Sequence, residues 1–155
     1  MRVELLADHN RAIPALAQWF FDEWRDYYGP LGLEAAMEDL QACCNRDALP
    51  IGLVVVKDGV VCGTAALKPE SITTHRHLGP WLAALLVAPW KRGQGVGGML
   101  IEAIEVRARQ LGFPAIYTGT GAARLFERAG WMAPERVVYH RQEITIFQRE
   151  LTGVA

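Results

Sequence analysis

The chain has 155 residues, 51% of them hydrophobic and 21% charged, the size and composition of one domain with one sizeable core. A formal net charge of −1 and an isoelectric point near 6.4 give no basic footprint for nucleic acid. No apolar run approaches the ~18 residues of a membrane span, and no basic segment followed by an apolar stretch opens the chain, so a cytoplasmic protein without nucleic-acid or membrane partners is expected.

Arg2 to Ala7 reads as a first strand, ended by the polar cluster Asp8-His9-Asn10. Ile13, Leu16, Ala17, Phe20, Trp24 and Tyr27 then recur at helical spacing, with Pro14 tolerated in the first turn and Gly29-Pro30 closing the segment. A second helix is expected from Leu33 to Arg46, with Leu33, Met37, Leu40 and Cys44 on one face. Ile51 to Lys57 and Val60 to Lys68 are β-branched runs joined by Asp58-Gly59, a pair favoured in two-residue hairpin turns. Lys68 to Pro80, which holds Glu70, His75 and His77, leads across the surface into the next strand.

Leu82 to Val87 is short, apolar on both faces and stopped by Pro89, the pattern of a strand buried in mid-sheet. From Val96 the positions Val96, Leu100, Ala103, Ile104, Ala108 and Leu111 mark a long amphipathic helix, ended by Gly112 and Pro114. Glu105 and Arg109 stand four apart along it, in the order that supports a helix. Ala115 to Thr118 reads as a short strand and Ala122 to Ala129 as a helix stopped by Gly130; Arg136 to His140 and Glu143 to Gln148 form a closing antiparallel pair. The result is an α/β fold with a mixed sheet of about seven strands.

Between the central strand and the long helix lies Arg92-Gly93-Gln94-Gly95-Val96-Gly97-Gly98. Missing β-carbons let a ligand approach the backbone, and the first-turn amides of a helix have no partners of their own. With the helix dipole and the charges of Lys91 and Arg92, this is a site for phosphate. Gly93, Gly95 and Gly98 also satisfy G-x-G-x-x-G, but five residues separate Val87 from Gly93, and no acidic residue sits in Ile116 to Thr120, which disfavours a nicotinamide-dependent oxidoreductase. No Gly-Lys-Ser/Thr follows, which disfavours a nucleoside-triphosphate loop.

This stretch resembles the acetyl-coenzyme A loop of the GNAT superfamily of N-acetyltransferases, through Arg92, Gly95 and Gly97, the preceding Leu85-Leu86-Val87 and Pro89, and a second signature at Leu125 to Trp131. The resemblance implies a mostly antiparallel sheet flanked by about four helices, with a splayed central strand pair. It implies acetyl-coenzyme A as cofactor, held by Leu85, Leu86, Val87, Arg92, Gly93, Gln94, Gly95, Val96, Gly97, Gly98 and Phe126. It also implies direct transfer of acetyl to a primary amine of a small molecule or peptide, by a monomer or homodimer. Relatives carry a tyrosine where this chain has Phe126, so the proton for the departing thiol has to come from Tyr139, Tyr117 or water.

An aliphatic amine has a pKa of about 10, so a proton acceptor is needed before attack. By position the candidates are Glu70, His75 and His77, and imidazoles as a class change charge near neutrality. Trp24, Tyr27, Tyr28 and Trp81 flank the helix end and the strand entry and are candidate substrate contacts. His75-x-His77 has no nearby third ligand, and no metal is expected. Cys43, Cys44 and Cys62 are an odd number without metal spacing or a neighbouring base and read as reduced thiols. The rival reading is an acyl-coenzyme A-binding protein without transfer activity.

Overall fold

The computed structural model describes residues 1–151; the last four positions of the expected 1–155 domain lie outside them. The elements are β1 (Arg2–Leu5), α1 (Ile13–Glu23), α2 (Arg25–Tyr28), α3 (Gly32–Ala42), β2 (Ile51–Lys57), β3 (Val60–Lys68), β4 (Trp81–Val87), α4 (Val96–Gln110), β5 (Ala115–Thr120), α5 (Ala123–Arg128), β6 (Met132–Tyr139) and β7 (Gln142–Glu150). The strands form one sheet in the order β1-β2-β3-β4-β5-β7-β6. Every neighbouring pair is antiparallel except β4 and β5.

Helices cover both faces, which is why the central strands are continuously apolar. In β2, Leu53 and Val55 face the core under α4 and α5, whereas Val54 and Val56 face the core under α1 and α3. The Asp58-Gly59 turn has φ of 51° and 77°, both left-handed, and closes Lys57 onto Val60. That is the type I′ geometry the dipeptide favours.

Both expected glycine stops form the same capping motif. After α4, Phe113 N–H donates to Ala108 O at 3.1 Å and Gly112 N–H to Arg109 O at 3.0 Å. After α5, Trp131 N–H donates to Phe126 O at 3.0 Å and Gly130 N–H to Glu127 O at 3.1 Å. This pattern brings a side chain just past the helix back onto its last turn, and the Phe126 and Trp131 rings meet edge to face at 5.0 Å. Phe126 is thereby fixed in the core at 1% exposure.

Three local expectations are corrected. The first helix is not continuous to Tyr27: Trp24 leaves helical geometry at φ −118°, ψ 44°, and α2 starts a new single turn. No glycine or proline marks the break. Tertiary packing accompanies it, with Trp24 against Phe20 at 5.0 Å and the Tyr28 hydroxyl donating to Asp39 at 3.0 Å. The next helix ends at Ala42 rather than Arg46. Glu105 pairs across to Arg149 of β7 at 2.8 Å instead of along α4 to Arg109; burial pushes its carboxyl up, against the pull of Arg149.

Candidate active site

β4 does not keep a single phase. Leu82 faces the α4 side and Leu86 the α1 side, although residues four apart share a face in a regular strand. The sheet register shows why: Ala66 opposes Ala83 and Thr64 opposes Leu86, so three steps on β4 match two on β3. This bulge contains Ala84 at φ +55°, a left-handed conformation that costs a non-glycine residue roughly 1–2 kcal/mol. Its effect is to bend the strand and re-aim the backbone at Ala84 and Leu85.

Beside the bulge, β4 and β5 part. Their parallel pairing consists of one register pair, Trp81 with Tyr117, and of Tyr117 N–H donating to Pro80 O at 3.0 Å. The Thr118 hydroxyl then donates to Leu82 O at 2.8 Å. Beyond this vertex the strands diverge around a cavity of about 290 Å³, walled by Leu82, Ala83, Ala84 and Leu85 on one side and Thr118, Gly119, Thr120 and Gly121 on the other. A splayed pair leaves backbone groups of β4 free to bond an amide-bearing ligand.

Next to that opening α4 begins without a side-chain cap, on Gly95 at φ +84°. The first amide bonded back along the helix is that of Met99, to Gly95 O at 3.1 Å. The amides of Val96, Gly97 and Gly98 are therefore the first-turn donors that a helix leaves for an anion. Arg92 donates from Nε to Val87 O at 3.2 Å and stands 3.7 Å from Glu23, which ties the loop to the end of β4. Gln94 folds back to donate to Trp90 O, and Trp90 packs edge-on against Trp19 of α1.

The other end of the cavity is lined by side chains from distant parts of the chain: Trp24, Asp26, Tyr27 and Tyr28 around α2, Asp39 of α3, Lys68 of β3, Tyr139 of β6 and His140 after it. Burial and the neighbouring Asp39 carboxylate push the Tyr28 hydroxyl far up from its ordinary pKa. Burial also raises Tyr27. Tyr27 and His140, both of which line the cavity, meet edge to face at 5.7 Å.

Of the residues singled out in the sequence, Trp24, Tyr27, Tyr28, Leu85, Phe126 and Tyr139 share this cavity. The Tyr139 hydroxyl is also engaged by the loop before β4, accepting from Thr73 N–H at 3.2 Å and lying 3.0 Å from Thr73 Oγ1. The structure places the other candidates elsewhere. His75 is held by Glu135 at 3.0 Å and by Thr74, and stacks on His77; neither lines the cavity. Glu70 lines a separate hollow with Asp39, Cys43 and Lys68. Trp81 is fully buried, donating from Nε1 to Leu78 O at 3.0 Å and packing against Tyr117. None of the three cysteines lines the cavity. Asp26, Asp39 and His140 are not among the site candidates of the sequence, because nothing local distinguishes them from solvated residues of a helix or a strand end.

Among the described residues there is no group of three metal-ligating side chains, and no helix is long and apolar enough to cross a membrane. No curated protein matches the sequence. The chain is similar in structure to an aminoglycoside 6′-N-acetyltransferase complexed with coenzyme A, at 14% identity over 100% of this chain and 99% of that one, with a TM-score of 0.78. Two further similar structures are the aminoglycoside 6′-N-acetyltransferase from Enterococcus faecium (14% identity, 100% and 99% covered, TM-score 0.74) and the ribosomal-protein-alanine N-acetyltransferase from Brucella melitensis (22%, 97% and 99%, 0.71). At these identities the likeness establishes the fold. Residues 13–131 match the acetyltransferase (GNAT) family as a sequence, and with the bulged, splayed β4 beside an uncapped glycine-rich helix start, the chain belongs to that family.

Proposed function

We propose that the protein is an N-acetyltransferase that moves acetyl from acetyl-coenzyme A directly to a primary amine. The observation that carries this reading is the neighbourhood of three features: the uncapped α4 start, where a β-carbon at Gly97 would meet Leu125 and Val87, the open edge of β4, and a cavity lined by aromatic and acidic side chains. Acetyl-coenzyme A supplies an activated acetyl group as a thioester. The Val96, Gly97 and Gly98 amides with Arg92 suit its pyrophosphate. The backbone of Leu85, Leu86 and Val87 suits the amides of its pantetheine arm, and Phe126 gives that arm an apolar surface. The β-carbon direction is open at Gly93 and Gly98, where nothing lies within 4 Å, so a ligand can come close to the backbone there.

Direct transfer is supported by the position of the thiols. Cys43 and Cys62 are buried at 4% and 1% exposure, and burial raises the Cys43 pKa, which suppresses the thiolate that an acyl-enzyme route needs. At the acceptor end, Asp26 and Asp39 with Trp24 and Tyr27 suit a cationic amine, held by charge and by aromatic faces.

The test has two stages. Acetyl-coenzyme A should raise the melting temperature and NAD should not. Free-thiol release should then follow addition of an amine from a panel comprising an aminoglycoside with a free 6′-amine, a peptide with N-terminal alanine and an alkyl diamine. A melting shift with no thiol release from any amine would favour the acyl-coenzyme A-binding reading, which the phenylalanine at position 126 supports.

A further inference from the structure

We propose that His140 is the proton acceptor for the amine; the assignment rests on the transfer reading above. Seven titratable side chains line the cavity: Asp26, Tyr27, Tyr28, Asp39, Lys68, Tyr139 and His140. Tyr27 and Tyr28 are held protonated by burial and Asp39. A lysine ammonium has no lone pair to offer. The Tyr139 hydroxyl is taken up by Thr73 and by Ser71 O at 3.4 Å. The Asp39 carboxylate already accepts the Tyr28 hydroxyl, and carboxylates as a class are poorer acceptors than imidazole for a proton from an amine of pKa about 10.

His140 differs in its partners from the chain's other histidines, none of which lines the cavity. His9 is bonded to Glu4 at 2.5 Å and His75 to Glu135, while His77 stacks on His75 outside the cavity. Among the described residues neither ring nitrogen of His140 has a hydrogen-bond partner. Its ring is instead positioned by aromatic edges, Tyr139 at 4.4 Å and Tyr27 at 5.7 Å. The turn that carries it is unusual as well. His140 and Arg141 form the two-residue loop between β6 and β7, with φ of 48° and 64°. Loops of this type favour Asn-Gly or Asp-Gly, as at Asp58-Gly59, whereas here neither residue is a glycine.

In the reaction this requires, the substrate arrives as an ammonium ion and gives one proton to a neutral ring nitrogen of His140. The freed lone pair forms the C–N bond to the thioester carbonyl carbon. The C–S bond breaks, the second amine proton goes to the departing sulfur, and the imidazolium returns its proton to solvent. The titratable and charged groups that share the cavity with His140 are Asp26, Tyr27, Tyr28, Asp39, Lys68 and Tyr139, and Arg141 is its neighbour in the turn.

The test uses His140→Asn and His140→Gly, two residues that tolerate a left-handed turn. Wild-type kcat/KM, measured with whichever amine of the panel turns over, should rise with pH along a limb that reports loss of a proton from the acceptor. His140→Asn should lower kcat/KM at pH 7 about 100-fold and abolish that limb, its rate instead climbing toward about pH 10 with the free amine. The melting shift with acetyl-coenzyme A should not change. Free imidazole should restore rate to His140→Gly and not to wild type. If wild type acetylates no amine, the transfer reading fails and the assignment with it. If wild type is active and His140→Asn keeps the limb, only the assignment falls; loss of the limb in Asp39→Asn instead would place the acceptor at Asp39.

Discussion

At the start of α4 the groups proposed to meet the ligand are backbone amides of three consecutive residues, Val96 to Gly98, presented on a left-handed Gly95. At the far end of the cavity they are side chains drawn from α2, α3, β3, β6 and the turn after it. The first site is a local object, made wherever an uncapped helix follows a glycine-rich loop. The second exists only because the α1 break and the β6–β7 turn arrive at the same place. A local backbone site tolerates change of the surrounding side chains and fails when a β-carbon blocks it. An assembled site fails through any element that positions it.

The sharpest break in that comparison is Gly97→Val. A β-carbon there meets Leu125 at 3.4 Å, an ordinary contact, but the branched methyls press on α5 and crowd the amides. Acetyl-coenzyme A affinity should fall by at least about 100-fold, roughly 2.7 kcal/mol, read by calorimetry on protein whose melt shows it folded. An unchanged affinity would remove the glycine loop from the donor site. Ala84→Val tests the bulge, since a β-branched residue at φ +55° is strongly disfavoured. It should cost about 1–3 kcal/mol in urea unfolding, and loss of kcat should accompany it if the bulge also positions the thioester.

Tyr28→Phe separates the assembled end from the donor end. Removing the hydroxyl that donates to Asp39 should cost about 1 kcal/mol and raise KM for the amine with little change in acetyl-coenzyme A affinity. Its pH signature has a definite sign. Because the folded-state pKa of Tyr28 is raised, the unfolded chain loses this proton first. Stability is full below about pH 10 and falls above it, by up to about 1.4 kcal/mol per pH unit. Urea titrations between pH 8 and pH 11 should show this decline in wild type and a shallower one in the variant. Arg92→Ala should have the smallest effect, about 10-fold in acetyl-coenzyme A affinity. The guanidinium is about half exposed and shared with Glu23, and the amides remain in place when it goes.

The two hairpin turns show where legibility stops. Asp58-Gly59 is readable because glycine and aspartate lower the cost of positive φ, so composition and conformation agree. His140-Arg141 adopts the same kind of turn without a glycine, and the sequence pattern carries the strand through His140 instead of ending it at Tyr139. The same contrast holds for helix ends. Gly112 and Gly130 announce their stops, while the break at Trp24 follows from packing on Phe20 and from the Tyr28 bond to Asp39. His75 and His77 are candidate acceptors only by their proximity in sequence to β4. In the fold, Glu135 and mutual stacking hold that pair away from the cavity.

By itself the sequence determined the order of the strands, the β2–β3 hairpin, the buried character of β4, both glycine caps and the glycine-rich loop before α4, each written in residues within a few positions of one another. Periodicity, capping and turn chemistry are local, so one chain suffices to read them. Only the tertiary structure decided the one-residue bulge at Ala84, the place where the expected parting of β4 and β5 begins, at Thr118, and the meeting of Tyr27 with His140. A bulge depends on the register of two strands, and an assembled cavity on the packing of helices against both faces of a sheet. Neither leaves a periodic trace in the segments that form it.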